Sequence, residues 1–273
     1  MTLDTNQQQK DLIRDRFTRT ADVFSSFAVP DRVASAESLA EMVAVGPADT
    51  VVDLATGPGT LALRFARRAR WVCGLDLTPA MLAHARDTAA SEGLSNLSLA
   101  IGDAQSLPFA ANSLDIAVTS YSLHHMADPA RVVAEMARVV RKGGRLGILD
   151  ILAPEDPAVD ELNHRIEITR DPSHTRSLSA RRLENILAQA GMRVVGARVE
   201  EHPRSFDHWL HVAGWHRGNA EYEEARRLME SSISGDTSGF RPRYVAAGAA
   251  APDSRPDMEI INMGQLVAAE KIG

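Results

Sequence analysis

Thr50-Val-Val-Asp-Leu-Ala-Thr-Gly-Pro-Gly-Thr-Leu-Ala62 is the stretch whose reading decides the fold. A β-branched apolar run ends in a carboxylate, breaks at Gly57-Pro58-Gly59, and resumes as the small, apolar start of a helix. Strand, tight turn and helix N-terminus in that order bring backbone close to a ligand. Outward from it, the pattern predicts strands at about 50–54, 70–75, 97–101, 114–119 and 144–149, alternating with helices at about 59–69, 79–92 and 128–141. The strands are near-continuous apolar runs, as in a parallel sheet covered by helices on both faces. Gly143-Gly144 reads as the stop of the helix that ends at Arg141-Lys142.

Ahead of this unit, two helical patterns cover 7–17 and 31–45, joined by a linker that carries Phe24 and Phe27. With Phe17, these aromatics suit either core anchors or a helical flap over a pocket. Beyond Asp150, helices are predicted over 154–169 and 179–190, the second with Ser179 as N-cap, then a strand over 192–199. A His- and Trp-rich helical stretch follows at 206–229, a loop or lid at 231–257, and an antiparallel strand at 258–271. The organisation expected is a flap (1–48), a ligand-binding core (49–200), a helical cap and loop (201–257) and a last core strand (258–273).

The chain has 273 residues, 44% hydrophobic and 24% charged, enough for a sizeable core. A net charge of -6 argues against nucleic acid, whose phosphates are bound mainly by Lys and Arg. The single Cys73 excludes an intrachain disulfide. The polar opening MTLDTNQQQKDLIRDRF lacks a signal-like apolar segment, and no apolar run approaches the roughly 20 residues of a membrane span. A cytoplasmic protein without stable membrane insertion is expected, with a homodimer left open.

Gly57-Pro58-Gly59 with Ala62 fits a loose dinucleotide pattern, but Pro58 removes a backbone N–H and Asp53 adds negative charge. Both disfavour a pyrophosphate, and with it an NAD-linked oxidoreductase. The next strand ends in Gly74-Leu75-Asp76, whose acid can accept two bonds from a ribose diol. The third ends in Gly102-Asp103-Ala104, whose acid can accept from an exocyclic amine. Each acid alone is equally well read as a helix cap or solvated turn. Together they describe an adenosine that carries positive charge.

These residues, with GLDLTPAML, GDAQSLPF, LDIAVTSYSLHHMADP, RVVRKGGRLGILD and RDPSHTR, resemble the class I S-adenosylmethionine-dependent methyltransferases, specifically the ubiquinone/menaquinone-biosynthesis branch. The resemblance runs from about Phe17 to Val195. It implies an α/β, Rossmann-like, seven-stranded and mostly parallel sheet with an antiparallel last strand, helices on both faces, an N-terminal helical flap and a helical cap insertion. It implies S-adenosyl-L-methionine as cofactor and S-adenosyl-L-homocysteine as product. Asp53, Ala55, Gly57 and Gly59 would meet the methionine end, Asp76, Leu77 and Met81 the ribose and adenine, Asp103 and Ala104 the adenine, and Ser120 the methionine portion. Thr56 and Gly102 complete this expected cofactor set. Lys142 departs from the proline usual before the two glycines.

Methyl transfer is an in-line displacement, so the protein mainly aligns the reactants in a dry site. An oxygen or carbon acceptor must also lose a proton, and histidine is the usual agent. His125 or His174 is favoured as base or substrate ligand, with His124 a third candidate; packing or capping roles stay open for each. His202, His208, His211 and His216 lack the Cys or H-E-x-x-H context of a metal site, so no metal is expected and they read as cap or its core. The expected activity is methylation of a small aromatic, quinone-like or natural-product acceptor. A binding protein of the same fold that does not methylate, or an N-methyltransferase of an amine or phospholipid, remains an alternative.

Overall fold

The computed structural model describes residues 3–22, 30–245 and 256–273; Phe24 and Phe27 lie outside these. In chain order the elements are α1 (Leu3–Arg19), α2 (Pro30–Met42), β1 (Thr50–Leu54), α3 (Thr60–Ala66), β2 (Trp71–Asp76), α4 (Pro79–Ser91), β3 (Leu97–Ile101) and β4 (Leu114–Ser120). A short 3-10 turn (Leu123–His125) precedes α5 (Pro129–Val139), β5 (Val140–Ile151), α6 (Pro157–Arg170), α7 (Ala180–Gln189), β6 (Met192–Ser205), α8 (Phe206–Val212), α9 (Ala220–Ser231), β7 (Arg243–Tyr244) and β8 (Met258–Lys271).

The sheet runs β3-β2-β1-β4-β5-β8-β6, with the two-residue β7 also pairing β8. The first five strands are parallel, and β8 is antiparallel to both β5 and β6. Alternate residues of the central strands feed two cores. Val52, Leu54, Ala117, Leu146 and Ile148 pack with α5 and α7, while Val51, Ile116, Val118 and Leu149 pack with α2 and α3. Two buried faces explain why these strands read as continuous apolar runs. A third cluster, built on Phe206, Trp209, Tyr222, Met229, Phe240 and Ile260, packs with Ile166 of α6.

Three expectations are corrected. The helix over 128–141 stops at Val139, and Gly143-Gly144 lies inside β5. Pairing with β4 jumps from Leu114↔Val140 to Ile116↔Arg145, so residues 141–144 bulge outward. Gly143 takes φ +69, and a Cβ on Gly144 would stand 2.7 Å from the Arg141 carbonyl oxygen. Second, the 206–229 stretch is two helices, broken where Gly214 and Gly218 take φ of 94 and 95. Third, β6 continues past Val199 to Ser205, because it is the sheet edge and tolerates Pro203 there.

Helix α1 lies across the strand tips. Gln9 Nε2 donates to the His125 and Ser173 carbonyls at 3.0 and 2.7 Å, Lys10 pairs with Asp103 at 2.6 Å, and buried Arg16 pairs with Asp171 at 2.9 Å.

Candidate active site

Beneath α1, a cavity of about 210 Å3 opens at the carboxyl ends of the strands, where open α/β sheets bind ligands. Its wall includes Ala55, Thr56, Gly57, Asp76, Leu77, Met81, Gly102, Asp103, Ala104 and Ser120 from the expected cofactor set. It does not include Asp53 or Gly59. Asp53 is fully buried behind the turn, where its Oδ2 accepts from Thr56 Oγ1 at 2.6 Å. Burial pushes its carboxyl up to about 7. Gly59 is a packing glycine, since a Cβ there would sit 3.0 Å from Ala85 Cβ.

The turn leaves backbone facing open space. Gly57 has φ +55, and a Cβ there would meet nothing within 4 Å. Ala55, at φ 51, also holds the left-handed conformation uncommon for a residue with a side chain. Asp76 holds the turn in place: Gly57 N–H donates to its Oδ2 at 2.9 Å and Thr78 N–H to its Oδ1 at 2.8 Å. Each carboxylate oxygen accepts more than one bond, so Asp76 keeps capacity for a diol. Burial nonetheless raises its pKa. Asp103 accepts from Gln105 N–H at 2.9 Å and shares its other oxygen with Lys10. An open glycine backbone, a diol-accepting acid, and apolar Leu77 and Met81 between two carboxylates fit a cationic adenosine derivative.

The histidines divide sharply. His124 lines the cavity, and its Nδ1 meets Asp150 Oδ1 at 2.5 Å, while its backbone N–H donates to Asp150 Oδ2 at 3.2 Å. Burial disfavours the imidazolium, but Asp150, joined by Glu167 and Asp171, outweighs it and holds the His124 pKa above the ordinary histidine value. His125 also borders the cavity, yet burial and the adjacent His124 charge depress its pKa, and its Nδ1 lies 3.1 Å from the Ser173 carbonyl. His174 does not border the cavity; buried against His124, His125 and His164, it is held neutral. From the later group, His202 and His208 reach the wall with Trp209, while exposed His211 and His216 pair with each other.

Asp150 was missed in the sequence, although it ends its strand as Asp53, Asp76 and Asp103 end or follow theirs. Missed too were Lys10, Arg32 and Arg204, cavity residues without a local motif, and Arg170, which opens the RDPSHTR stretch.

Residues 51–144 match the family described as a methyltransferase domain. The uncharacterized methyltransferase YcgJ of Bacillus subtilis is 33% identical over 164 residues, 60% of this chain and 65% of that one. The ubiquinone/menaquinone biosynthesis C-methyltransferase UbiE of Dinoroseobacter shibae is 34% identical over 128 residues, 46% of this chain and 51% of that one. The chain thus spans about half to two thirds of these relatives' length. The crystal structure of YcgJ superposes with a TM-score of 0.78 at 25% identity, covering 88% of this chain and 99% of that one. The chain belongs to the class I S-adenosylmethionine-dependent methyltransferases.

For a methyltransferase of this class the cofactor is S-adenosylmethionine, and the half of the cavity around Gly57, Asp76 and Asp103 is the half that fits it. Tyr121, His124, Arg32, Arg170 and Arg204 line the rest of the cavity.

Proposed function

We propose that this methyltransferase acts on an oxygen or carbon of a small-molecule acceptor, with His124, positioned by Asp150, as general base. The observation that carries this reading is the His124–Asp150 pair at the cavity wall, 2.5 Å apart and almost wholly buried.

Bound S-adenosylmethionine supplies an electrophilic methyl carbon on a sulfonium. Gly57, Asp76, Leu77, Met81 and Asp103 would hold it, and α1 with Phe17 excludes water from the mouth. The acceptor needs to give up a proton as its oxygen or carbon becomes nucleophilic. With Nδ1–H donated to Asp150, the neutral His124 ring carries its lone pair on Nε2. Asp150 then stabilises the imidazolium formed by the proton. His125 and His174, both held neutral by burial, have no carboxylate hydrogen-bonded to the ring among the described residues; His125 Nδ1 meets Ser173 instead. A general base contributes roughly 10²–10⁴-fold in rate.

The test is incubation with methyl-labelled cofactor and a panel of phenols and carbon acids, followed by extraction of labelled product. Asp150→Asn should lower kcat on any acceptor found by about 10²–10⁴-fold while S-adenosylhomocysteine affinity stays within a few-fold. Undiminished transfer in both Asp150→Asn and His124→Gln would remove the base from the mechanism.

A further inference from the structure

We propose that the acceptor carries an oxyanion, a carboxylate or a phosphate, and that Tyr121, Arg32 and Arg204 bind it. The proposal rests on the methyl-transfer reading and names the acceptor's class.

Tyr121 follows the tip of β4 in the left-handed conformation, φ +48, a costly choice for an aromatic residue. Its backbone N–H donates to the Leu149 carbonyl at 2.7 Å, which fixes the direction of the side chain. The ring borders the cavity, and its hydroxyl is sealed from solvent with no hydrogen-bond partner among the described residues. A buried hydroxyl without an acceptor is costly, and such a group at a cavity wall marks a place where a ligand atom completes the bonding.

The strongest charges acting on that hydroxyl are the Arg32 and Arg204 guanidiniums. The Arg32 guanidinium stands 5.0 Å from the Tyr121 ring centroid. Arg32, Arg170 and Arg204 all line the same cavity, from α2, α6 and β6. Burial first, and then Arg204 and Arg170, depress the Arg32 pKa, so the guanidiniums feel one another. Guanidiniums donate and never accept, and with the phenol they present several donors to one point.

The carboxylates that reach the phenol electrostatically are engaged elsewhere. Glu200 takes Ser35 Oγ at 2.5 Å and pairs with Arg198, while Asp150 is held by His124. Glu167 and Asp171 also line the cavity but are paired with Arg170 and Arg16, whereas Asp76 and Asp103 lie on the β2 and β3 side of the sheet, away from β6. An acceptor with an anionic group is therefore repelled from the cofactor end and drawn to the arginine end. Tyr121 lies three positions before His124 in the chain, so one short segment presents both the anion site and the base.

The test is calorimetric titration of the full chain, saturated with S-adenosylhomocysteine, with three probes: 2-hydroxybenzoate, phenyl phosphate and neutral 2-hydroxybenzamide. At least one acid should bind about tenfold or more tighter than the amide, as expected when charge-assisted hydrogen bonds are gained. The tighter acid identifies the carboxylate or the phosphate. Tyr121→Phe and Arg204→Gln should each weaken that acid about tenfold and leave the amide and S-adenosylhomocysteine unchanged, the latter showing that the variants fold. The proposal is overturned if the amide binds as well as both acids, if no probe binds, or if acid affinity survives both substitutions. Failure of the wild type to bind S-adenosylhomocysteine would instead overturn the methyl-transfer reading, and the same titrations on the free chain would still decide the anion site.

Discussion

Asp53 sits at the end of the strand that organises the chain, yet its carboxylate faces protein rather than the cavity. Burial, opposed by the Thr56 hydroxyl and the Ala62 amide and reinforced by Asp76, pushes its pKa from an ordinary 3.8 to about 7. The native state therefore holds a proton that the unfolded chain releases near pH 4. Stability from this group is fully present below pH 4, falls as pH rises through about 7, and is then gone. At 1.36 kcal/mol per pH unit, the gap of about 3 units amounts to roughly 4 kcal/mol. Asp53→Asn keeps a side-chain oxygen for Thr56 and cannot titrate.

Absolute stability curves mix several groups. Asp76 and Glu167, also raised by burial, slope in the same direction, while His125 and His174, held neutral, slope oppositely. The informative quantity is the difference between variant and wild type, measured by urea denaturation from pH 4 to pH 8.5. The Asn variant should gain on the wild type across that window by up to about 4 kcal/mol, or roughly 10 °C in Tm for a chain of this size. A difference curve that is flat, or that falls with pH, would refute a buried and protonated Asp53.

Asp76→Ala removes the acceptor of the Gly57 and Thr78 amides, and S-adenosylhomocysteine should bind about 100-fold more weakly by calorimetry, well beyond the effect of Asp53→Asn. Gly102→Ala places a Cβ 2.5 Å from Leu75 Cδ1 in the core, and thermal melting should show a loss of about 1–3 kcal/mol. Arg16→Met leaves the buried Asp171 without its partner from α1, so amide exchange across 6–19 should accelerate, read by hydrogen-exchange mass spectrometry. Unchanged protection there would mean that Arg16 does not dock the helix.

The sheet was legible because its strands are short apolar runs ended by glycine and acid, signals contained within a few residues. The acids on the tips of β1 and β2 and just beyond β3 were legible for the same reason. Gly143-Gly144 misled, because a helix stop and a β-bulge both use glycine, and only pairing with β4 distinguishes them. The choice among the histidines was not legible. His124 and Asp150 are 26 residues apart and meet because Ser120 registers with Leu149 across β4 and β5. Adjacent His125 shares the local sequence but turns toward Ser173, and no local pattern distinguishes the two rings.

The same contrast separates the two halves of the cavity. The cofactor half is assembled from β1, β2, β3 and the turns that follow them, all within the stretch 51–144 that matches the methyltransferase domain. The half we propose for the acceptor takes Tyr121 and His124 from that stretch, but Arg32, Arg170, His202, Arg204, His208 and Trp209 come from outside it, as does Asp150, which holds His124. Those residues sit on α2, the tip of β5, α6, β6 and α8. A substitution among them changes what charge the acceptor meets while leaving Gly57, Asp76 and Asp103 in place. The family match over 51–144 therefore bears on the cofactor half and is silent on the wall opposite Asp76 that we propose for the acceptor, which the outer elements charge.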